Sequence, residues 1–502
     1  MESSKTKEIA AKLEALEGQF GYWEKTKDLI DQLIDVILNY RQSGHPGGSR
    51  SKVHALLSLM LSGEMRWDIR DPQKRFADRF VLGAGHTIPL IYSTLAVLNE
   101  AFRIKFEQTG DERYAMPRES TLYWEDLTGF RRRGGLAGHA EASGKTQFLK
   151  FNTGPSGHGS PAAAGIALAL KRAKAEGVKV FIVEGEGGLT PGAVHETANS
   201  AWGLALDNLY MLLDWNDYGI DDHSVSSAVY GEPKDWFEPH GWRVFGTEQG
   251  SAFGPVTETL LAMMGSENGD RQPSAMWFKT RKGRDYLVYD QKSHGAPHAM
   301  NSELFWETKR PFAEKYGAQF TNFGGSAPTD ASALCAEFAA NLQAVIDVLH
   351  RDQALVDYLA GRLVEIGESV PSEIPGLNLG AQGNPFQDER LYDYAAYPPE
   401  LYLQPGAKEA NRTALRKWGA WVNAFGAQEY GRPLFVVASA DLAGSTRIAG
   451  FAEGYGDFPG YGWYERFGSP DGVLLPQEIT EFANAGIMTG MATVNLAEDP
   501  TS

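Results

Sequence analysis

Residues 181–222 read FIVEGEGGLTPGAVHETANSAWGLALDNLYMLLDWNDYGIDD, and this stretch decides the fold. The β-branched and aromatic residues at 178–183 predict a buried strand. The strand runs into the turn Gly185–Glu186–Gly187, where glycines let backbone amides approach phosphate oxygens while the carboxylate reaches a hard cation. Glycine turns after strands are also common where nothing binds, so the turn by itself fits a plain loop equally well.

A second strand is predicted at Leu209–Leu213, after a helix that runs from about residue 192 to about residue 205. This strand delivers Asn216 at its carboxyl end, the end at which open α/β sheets bind their ligands. Glu186 and Asn216 are 30 residues apart (216 − 186 = 30). We therefore expect both side chains at one edge of the sheet, where they can share one metal ion.

The chain has 502 residues and a net charge of −17, which bound its class. The length predicts two or three domains, and the acidity argues against nucleic acid or a membrane surface as a partner. Cys335 is the single cysteine, which excludes an intrachain disulfide and a thiolate zinc site built from this chain alone. Residues 1–20 lack the apolar core of a signal peptide, and no run of roughly eighteen apolar residues occurs, so we expect a cytoplasmic protein.

Strand and helix patterns alternate along most of the chain, which predicts an α/β fold with parallel sheets flanked by helices. We expect a first domain at residues 1–320, a linker with inserted helices at 321–410, and a second α/β domain at 411–502. The second domain contains about two predicted strands, too few for a complete sheet. We therefore expect this domain to be incomplete in the chain.

Four short motifs place histidines in turns or at strand ends. They are His45 in GHPGG, His86 in GAGH, His139 in GHAE and His294 in SHGAP. Imidazoles exchange protons near neutral pH, which suits catalysis, although a single histidine at a helix end is more often a cap or a core residue. The sequence TGPSGHG at 153–159 opens a helix, and its exposed amides favour an anion if it is more than a plain helix start.

The motifs occur in the order found in the transketolase family, which the chain resembles. The ordered set is GHPGG, GAGH, GHAE, TGPSGHG, GEG with a distant Asn, SHGAP, ASADLAGST and TEFANAG. The resemblance covers residues 19–320 as a diphosphate-binding domain and residues 411–494 as the opening part of a pyrimidine-binding domain. It implies a thiamine diphosphate-binding fold, homodimerisation through the diphosphate-binding domain, and phosphorylated sugars as substrates.

The resemblance also implies a cofactor site at the edge of the sheet. Glu186, Asn216 and the backbone of Tyr218 would bind Mg²⁺ or Ca²⁺, since carboxylate and carbonyl oxygens suit hard cations. The residues implied in binding thiamine diphosphate are His86, Gly154, Ser156, Gly185, Glu186, Gly187, Asn216, His294 and Glu481.

Glu481 is the implied catalytic acid, because the family motif has a Gly nine residues after its Glu, and Gly490 follows Glu481 by nine (490 − 481 = 9). Its carboxylate would hydrogen-bond the pyrimidine ring of the cofactor and favour the imino tautomer. The histidines implied in catalysis beside it are His45, His86, His139 and His294. Taken alone, Glu481 also fits a polar residue in the first turn of a helix.

Arg416 and Ser445 are similar to positions that bind the phosphate of the sugar, with Arg412 as an alternative to Arg416. Arginine suits this role because its planar guanidinium donates two hydrogen bonds to one phosphate. An exposed helix arginine without a ligand is the competing interpretation.

Four features depart from the family pattern, and one of them is Phe482, which stands where the family's Glu-His-Ala motif has its His. Glu186 replaces an Asp, and Pro191 stands where the family has a Glu that joins the two cofactor sites across the dimer. The remainder of the pyrimidine-binding domain and a C-terminal domain have no counterpart in the sequence. We therefore expect one subunit of a split, two-chain enzyme, completed by a second polypeptide.

The expected reaction is transfer of a two-carbon ketol unit from a ketose phosphate to an aldose acceptor. One alternative is a thiamine-dependent component that decarboxylates a 2-oxo acid. The other is a non-catalytic subunit that binds the cofactor for a regulatory purpose.

Overall fold

The computed structural model of the protein describes residues 4–377, 379, 384–453 and 462–497. Its main sheet has the strand order β1-β2-β3-β5-β4, and every neighbouring pair of strands is parallel. The strands in chain order are β1 (Arg79–Leu82), β2 (Val180–Gly185), β3 (Leu209–Trp215), β4 (Arg243–Thr247), β5 (Ser274–Lys279), β6 (Val437–Ala438) and β7 (Leu474–Leu475). The prediction of a parallel sheet flanked by helices is confirmed.

Helices connect the strands and cover the sheet. In chain order they are α1 (Ser4–Glu17), α2 (Phe20–Arg41), α3 (Pro46–Ser51), α4 (Val53–Leu61), α5 (Pro89–Thr109), α6 (Gly159–Arg172), α7 (Gly192–Gly203), α8 (Pro233–Phe237), α9 (Phe253–Gly265), α10 (Glu303–Tyr316), α11 (Ala331–His350), α12 (Gln353–Glu368), α13 (Asn411–Tyr430), α14 (Ala443–Thr446) and α15 (Glu481–Ala492). Short 3-10 turns occupy several of the loops between them.

Alternate side chains of each central strand enter two different cores. In β2, Phe181 and Val183 join a core that includes residues of α2, α4, α5 and α9. Val180 and Ile182 join a second core with residues of α6, α7 and α15 on the other face. Burial on both faces explains why the strand is a continuous apolar run rather than an alternating one.

Helices α11 and α12 belong to the first of these cores, although their sequence region was predicted to be a linker with inserted helices. Leu342 and Leu359 are fully buried there. Trp23 of α2 donates a hydrogen bond from its indole nitrogen to the Tyr358 hydroxyl at 2.5 Å. Among the described residues, α11 is the helix long and apolar enough in composition to cross a membrane, and half of its most apolar window is buried in the protein.

The region from α13 to β7 forms a smaller unit around its own apolar core. That core contains Val422, Val437, Ala443, Phe451 and Leu474. Strands β6 and β7 pair in parallel, with Val437 opposite Leu474. This pair is the second sheet of the described part of the chain, and it has two strands.

Strand β6 has only two residues, and the side chain of Asn423 occupies the backbone groups just before it. Asn423 accepts a hydrogen bond from the Phe435 amide at 2.8 Å and donates one to the Phe435 carbonyl at 3.1 Å. These bonds occupy both groups that a sheet ladder would use. Helix α15 begins at Glu481, since Thr480 has non-helical dihedral angles.

Helix α15 packs on α6 through glycines at the point of closest approach. A Cβ atom placed on Gly490 would lie 2.0 Å from the carbonyl oxygen of Ala162. One placed on Gly165 would lie 2.0 Å from the carbonyl oxygen of Ile487. The absence of side chains at these two positions therefore sets the distance between the helices.

We predict that Gly490→Ala destabilises the protein by about 1–3 kcal/mol, because the new methyl group collides with a backbone carbonyl that cannot rotate away. The matched control is Gly361→Ala in α12, where a Cβ atom has nothing within 4 Å. There we expect a neutral effect or a gain of about 0.5–1 kcal/mol from helix propensity. Urea unfolding measures both, and equal effects of the two changes would contradict the prediction.

Candidate active site

The predicted acid and amide meet at the carboxyl edge of the sheet. Gly185 of β2 lies opposite Asp214 of β3, so the residues that follow these positions leave the sheet side by side. Glu186 Oε2 accepts a hydrogen bond from the backbone amide of Asn216 at 2.6 Å. The amide oxygen of Asn216 in turn accepts one from the Tyr218 amide at 3.2 Å.

One oxygen of Glu186 has no partner, although it is buried. The residue is 2% exposed, and its Oε1 atom makes no hydrogen bond. Burial raises the pKa of Glu186 to about 8, and repulsion from Asp214 adds to the rise. A buried carboxylate with a free oxygen, next to amide and carbonyl oxygens, is a donor set that fits a hard cation such as Mg²⁺.

Asp214 lies next to Glu186 and Asn216, and its carboxylate accepts hydrogen bonds from four side chains. Its Oδ2 atom accepts hydrogen bonds from Lys52 Nζ at 2.8 Å and from the side-chain amide of Asn216 at 2.9 Å. The Ser51 hydroxyl also donates a hydrogen bond to Oδ2, and the Thr280 hydroxyl donates one to the other carboxylate oxygen, Oδ1. Despite complete burial, the Lys52 ammonium and these donors hold the pKa of Asp214 below its usual value.

A second buried lysine, Lys282, reaches the same place from the loop after β5. Its ammonium donates a hydrogen bond to the carbonyl oxygen of Tyr218, the backbone group predicted to bind the metal. Burial lowers the pKa of Lys282 to about 8. Sequence reasoning missed Lys282, Lys52 and Asp214, because none of them belongs to a recognised motif.

Three of the predicted histidines form a cluster beside these charged groups. The ring centroids of His45 and His86 are 4.8 Å apart, and those of His45 and His294 are 5.3 Å apart. His86 and His294 are stacked at 5.4 Å. They come from three separate segments, so the structure brings together what the sequence scatters over about half of the chain.

Burial lowers the pKa of all three rings, and nearby positive charges add to the effect. The pKa of His45 falls to about 4, with a contribution from Arg131. That of His294 falls to about 3, with a contribution from Lys282, and that of His86 lies well below its usual value. The ligand-free site therefore holds neutral imidazoles that can accept protons or hydrogen bonds.

The glycine-rich loop at 153–159 lies next to His139. A Cβ atom on Gly154 would lie 3.8 Å from the ring of His139, which is exposed but near enough to repel a proton on His45. Ser156 is exposed, as is Gly187 after β2. A Cβ atom on Gly157 would lie 2.6 Å from the ring of Pro191. The lack of a side chain at Gly157 therefore leaves room for Pro191, the residue that differs from the family's Glu.

Glu481 is the first residue of α15 and is exposed. No contact between its carboxylate and the histidine cluster occurs in the described residues. The helix is held at this end by Glu196 of α7, whose Oε2 atom accepts a hydrogen bond from the amide of Ala483 at 2.8 Å. Sequence reasoning missed Glu196, because nothing in its local pattern shows which helix it faces.

The two predicted phosphate-binding residues lie outside this cluster, on the smaller unit. Arg416 of α13 forms a bidentate ion pair with Glu453 at 2.6 and 2.8 Å, and its side chain is 42% exposed. Ser445 of α14 is exposed, and its hydroxyl donates to the Leu442 carbonyl at 3.2 Å. Arg412, the alternative, is exposed at the start of α13.

Residues 118–320 match the family model described as the transketolase, thiamine diphosphate binding domain. This part of the chain is therefore similar to the thiamine diphosphate-binding domain of transketolases. The matched region includes Glu186, Asn216, Lys282 and His294. Much of the candidate site therefore lies within the part of the chain that matches the thiamine diphosphate-binding domain.

Transketolases are also among the curated relatives. The chain is 30% identical over 293 residues to the transketolase of Halalkalibacterium halodurans, covering 55% of this chain and 39% of that protein. It is 28% identical over 264 residues to the human transketolase, covering 52% of this chain and 37% of that protein. The matched region thus spans well under two thirds of either relative.

Solved transketolases share the fold at lower identity. The enzyme of Pichia stipitis, in a complex with sedoheptulose 7-phosphate, has a TM-score of 0.63 at 20% identity, covering 95% of this chain and 63% of that one. The transketolase of Campylobacter jejuni has a TM-score of 0.62 at 22% identity, covering 95% of this chain and 64% of that one. The predicted fold class and the resemblance to transketolases are confirmed.

We predict that His45 and His294 stay neutral in the ligand-free protein from about pH 8 down to about pH 5. Their folded pKa values are depressed, so protonation begins only as the pH falls toward about 4 and about 3 respectively. Nuclear magnetic resonance of histidine-labelled protein measures the ring protonation, with exposed His223 as the internal reference. A charged ring at either position at about pH 6 would show that the cluster is more hydrated than the structure indicates.

Proposed function

We propose that this protein is a thiamine diphosphate-dependent transketolase subunit, which transfers a two-carbon ketol unit from a ketose phosphate to an aldose acceptor. The observation that supports it is the meeting of Glu186, Asn216 and three neutral histidines at the carboxyl edge of a parallel sheet. A cation site next to proton-accepting imidazoles is what a diphosphate cofactor and a sugar substrate require.

In this proposal Glu186 and Asn216 would hold Mg²⁺, which would supply positive charge to the cofactor's diphosphate. The Oε1 atom of Glu186 has no hydrogen-bond partner, so it would be available to a metal ion, which would compensate a buried negative charge. The extra methylene of Glu186 relative to Asp is used in reaching the Asn216 amide. Gly187 is exposed at the turn, where its amide can face a phosphate oxygen.

Thiamine diphosphate, when bound, supplies the nucleophilic carbon that accepts and passes on the two-carbon unit. The chain's own part is to move protons and to orient the sugar. His45, His86 and His294 are neutral, so each has a ring nitrogen that can accept a hydrogen bond from a substrate hydroxyl. Glu481 would hold a proton at a ring nitrogen of the pyrimidine.

We propose that the working site lies between copies of the chain, which dimerise through the diphosphate-binding domain. Glu481 is exposed and makes no contact with the histidines in the described residues, so its carboxylate is accessible to a second copy. The two-stranded sheet of β6 and β7 needs further strands for a complete domain. Additional polypeptide, either in the same chain or in a second subunit, would supply them together with the rest of the pyrimidine pocket.

Arg416 and Ser445 are proposed to bind the phosphate of the sugar. For this the Arg416 guanidinium must exchange the Glu453 carboxylate for a phosphate, which offers the same planar pair of acceptor oxygens. Because this ion pair is about half exposed, it contributes little stability, and the exchange costs little.

We predict that Glu481→Gln lowers the rate of ketol transfer in the complete enzyme by roughly 10²–10⁴-fold, since the carboxylate is the group that holds the proton. Binding of thiamine diphosphate should change far less. The control is Glu478→Gln, an exposed acid on the approach to α15, which should leave the rate unchanged.

Steady-state kinetics with a ketose phosphate and an aldose measure the transfer. Full activity of Glu481→Gln would refute its assignment. Release of carbon dioxide from a 2-oxo acid without cleavage of any ketose would favour the decarboxylating alternative. Binding of the cofactor with no turnover of either substrate would favour a regulatory subunit.

We predict that Glu186→Asp keeps or tightens the binding of a divalent cation, whereas Glu186→Gln weakens it by roughly tenfold or more through loss of the charge. The probe is Mn²⁺ in the presence of thiamine diphosphate, followed by electron paramagnetic resonance. Asp221→Asn, at an exposed carboxylate in the loop that follows Asn216, is the control. Loss of binding in Glu186→Asp would show that the site is built around the longer acid.

A further inference from the structure

A cavity of about 500 Å³ lies at the amino end of β1, in the described part of the chain. Its wall includes Arg79, the first residue of β1, and Lys150, from the segment that pairs with β1 through Leu149. Arg79 lies opposite Val180 at the start of β2, whereas the candidate active site follows Gly185 at the end of that strand. About 16 Å of strand therefore separate the cavity from the candidate active site.

The two cations of this cavity are bonded to backbone carbonyls. The Arg79 guanidinium is buried and donates to two of them, with the Arg75 carbonyl at 2.8 Å. The Lys150 ammonium is partly buried and also donates to two, with the Gln147 carbonyl at 2.8 Å. In the residues that the structure describes, neither cation forms an ion pair with a carboxylate. Both groups have further N–H donors for a ligand.

Two acids act on these cations through their charge, and neither is bonded to them. Asp78 accepts hydrogen bonds from two backbone amides at 2.7 and 2.8 Å, and Asp71 is exposed. Burial lowers the pKa of Lys150 to about 7, and repulsion from Arg79 adds to the effect. Two neighbouring positive charges that are shielded from water are costly unless an anion lies between them.

The rest of the wall includes neutral polar groups. The side-chain oxygen of Asn152 accepts a hydrogen bond from the Ala142 amide at 2.6 Å, so its NH₂ group remains to donate. Gln73 and Gln147 add two side-chain amides, and Thr493, just after α15, adds a hydroxyl. Within the described residues, no acid lines the cavity. The wall therefore suits a ligand that combines an anionic group with hydroxyls.

We propose that this cavity binds a small phosphate ester, with its phosphate on Arg79 and Lys150 and its hydroxyl groups on the amides of the wall. A phosphate monoester carries a charge of about −1.5 to −2 near pH 7, which matches two cations better than one carboxylate does. Guanidinium and ammonium groups both bind phosphate oxygens strongly. The volume of the cavity leaves room for an organic part beside the phosphate. The inference is independent of the proposed function, because it concerns the opposite end of the sheet.

The test is a calorimetric titration of the protein with glycerol 3-phosphate, which is neither a ketose nor an aldose. We expect one site per chain with a dissociation constant of about 1 mM or lower. Lys150→Met should weaken binding by roughly 10- to 100-fold through loss of a charged hydrogen bond. Lys150→Glu should abolish binding and, since it places a negative charge near Arg79, keep or raise the temperature of unfolding.

Lys145→Met is the matched control, because Lys145 lies a few residues earlier in the chain and its ammonium is bonded to the Asp126 carboxylate at 2.9 Å. It should bind the ester as the wild type does. Arg416→Met, at the proposed position for the sugar phosphate, should also bind it normally. Circular dichroism verifies that each variant is folded, and if Lys150→Glu is not, Lys150→Met decides.

Absence of binding by the wild type, or binding that survives the substitutions of Lys150, would overturn the inference and leave the proposed function intact. Loss of binding in Arg416→Met together with normal binding in Lys150→Met would place the ester on the smaller unit and also overturn it. Equal affinity for inorganic phosphate and glycerol 3-phosphate would overturn the assignment of an organic ester.

Discussion

The parallel register of β2 and β3 is the constraint on which the site depends. Because Gly185 lies opposite Asp214, the next residues on both strands leave the sheet at the same level, and Glu186 meets the Asn216 amide. A shift of one residue would turn every side chain of β2 to the opposite face and exchange the two cores. The burial of both faces therefore fixes the geometry of the site as well as the stability of the fold.

Desolvation gives this edge of the sheet its chemical character. It raises the pKa of an acid, Glu186, and lowers that of a base, Lys282, so the ligand-free site disfavours charges of both signs. A metal ion together with a diphosphate brings a positive and a negative charge in one ligand. Under the proposed function, such a ligand would relieve both penalties at once, which a lone cation or a lone phosphate would not.

The sequence was most informative where local pattern and function coincide. The strands before Glu186 and Asn216, and the four histidine motifs, were predictable because apolar runs and glycine turns are local signals. The meeting of His45, His86 and His294 followed from a family resemblance and not from periodicity.

What the sequence did not reveal are contacts made over long separations. Lys282 is one lysine among many until its ammonium is seen on the Tyr218 carbonyl. Nothing in the sequence around Glu196 of α7 indicates that its carboxylate accepts a hydrogen bond from the Ala483 amide at the start of α15. The shortened strand at 437–438 depends on the side chain of Asn423, which no strand propensity describes.

The glycine contacts between α6 and α15 have a mechanical consequence. Helix α6 begins at the glycine-rich loop of the chain's own site, and α15 carries Glu481. With carbonyls at the positions that side chains would fill, the two helices cannot slide or tilt independently. If Glu481 contributes to the cofactor site of a second copy, a displacement of the glycine-rich loop at one cofactor site would move α6 and α15 together. The movement would reach Glu481 at the other cofactor site. This coupling would need no transfer of protons between the two sites.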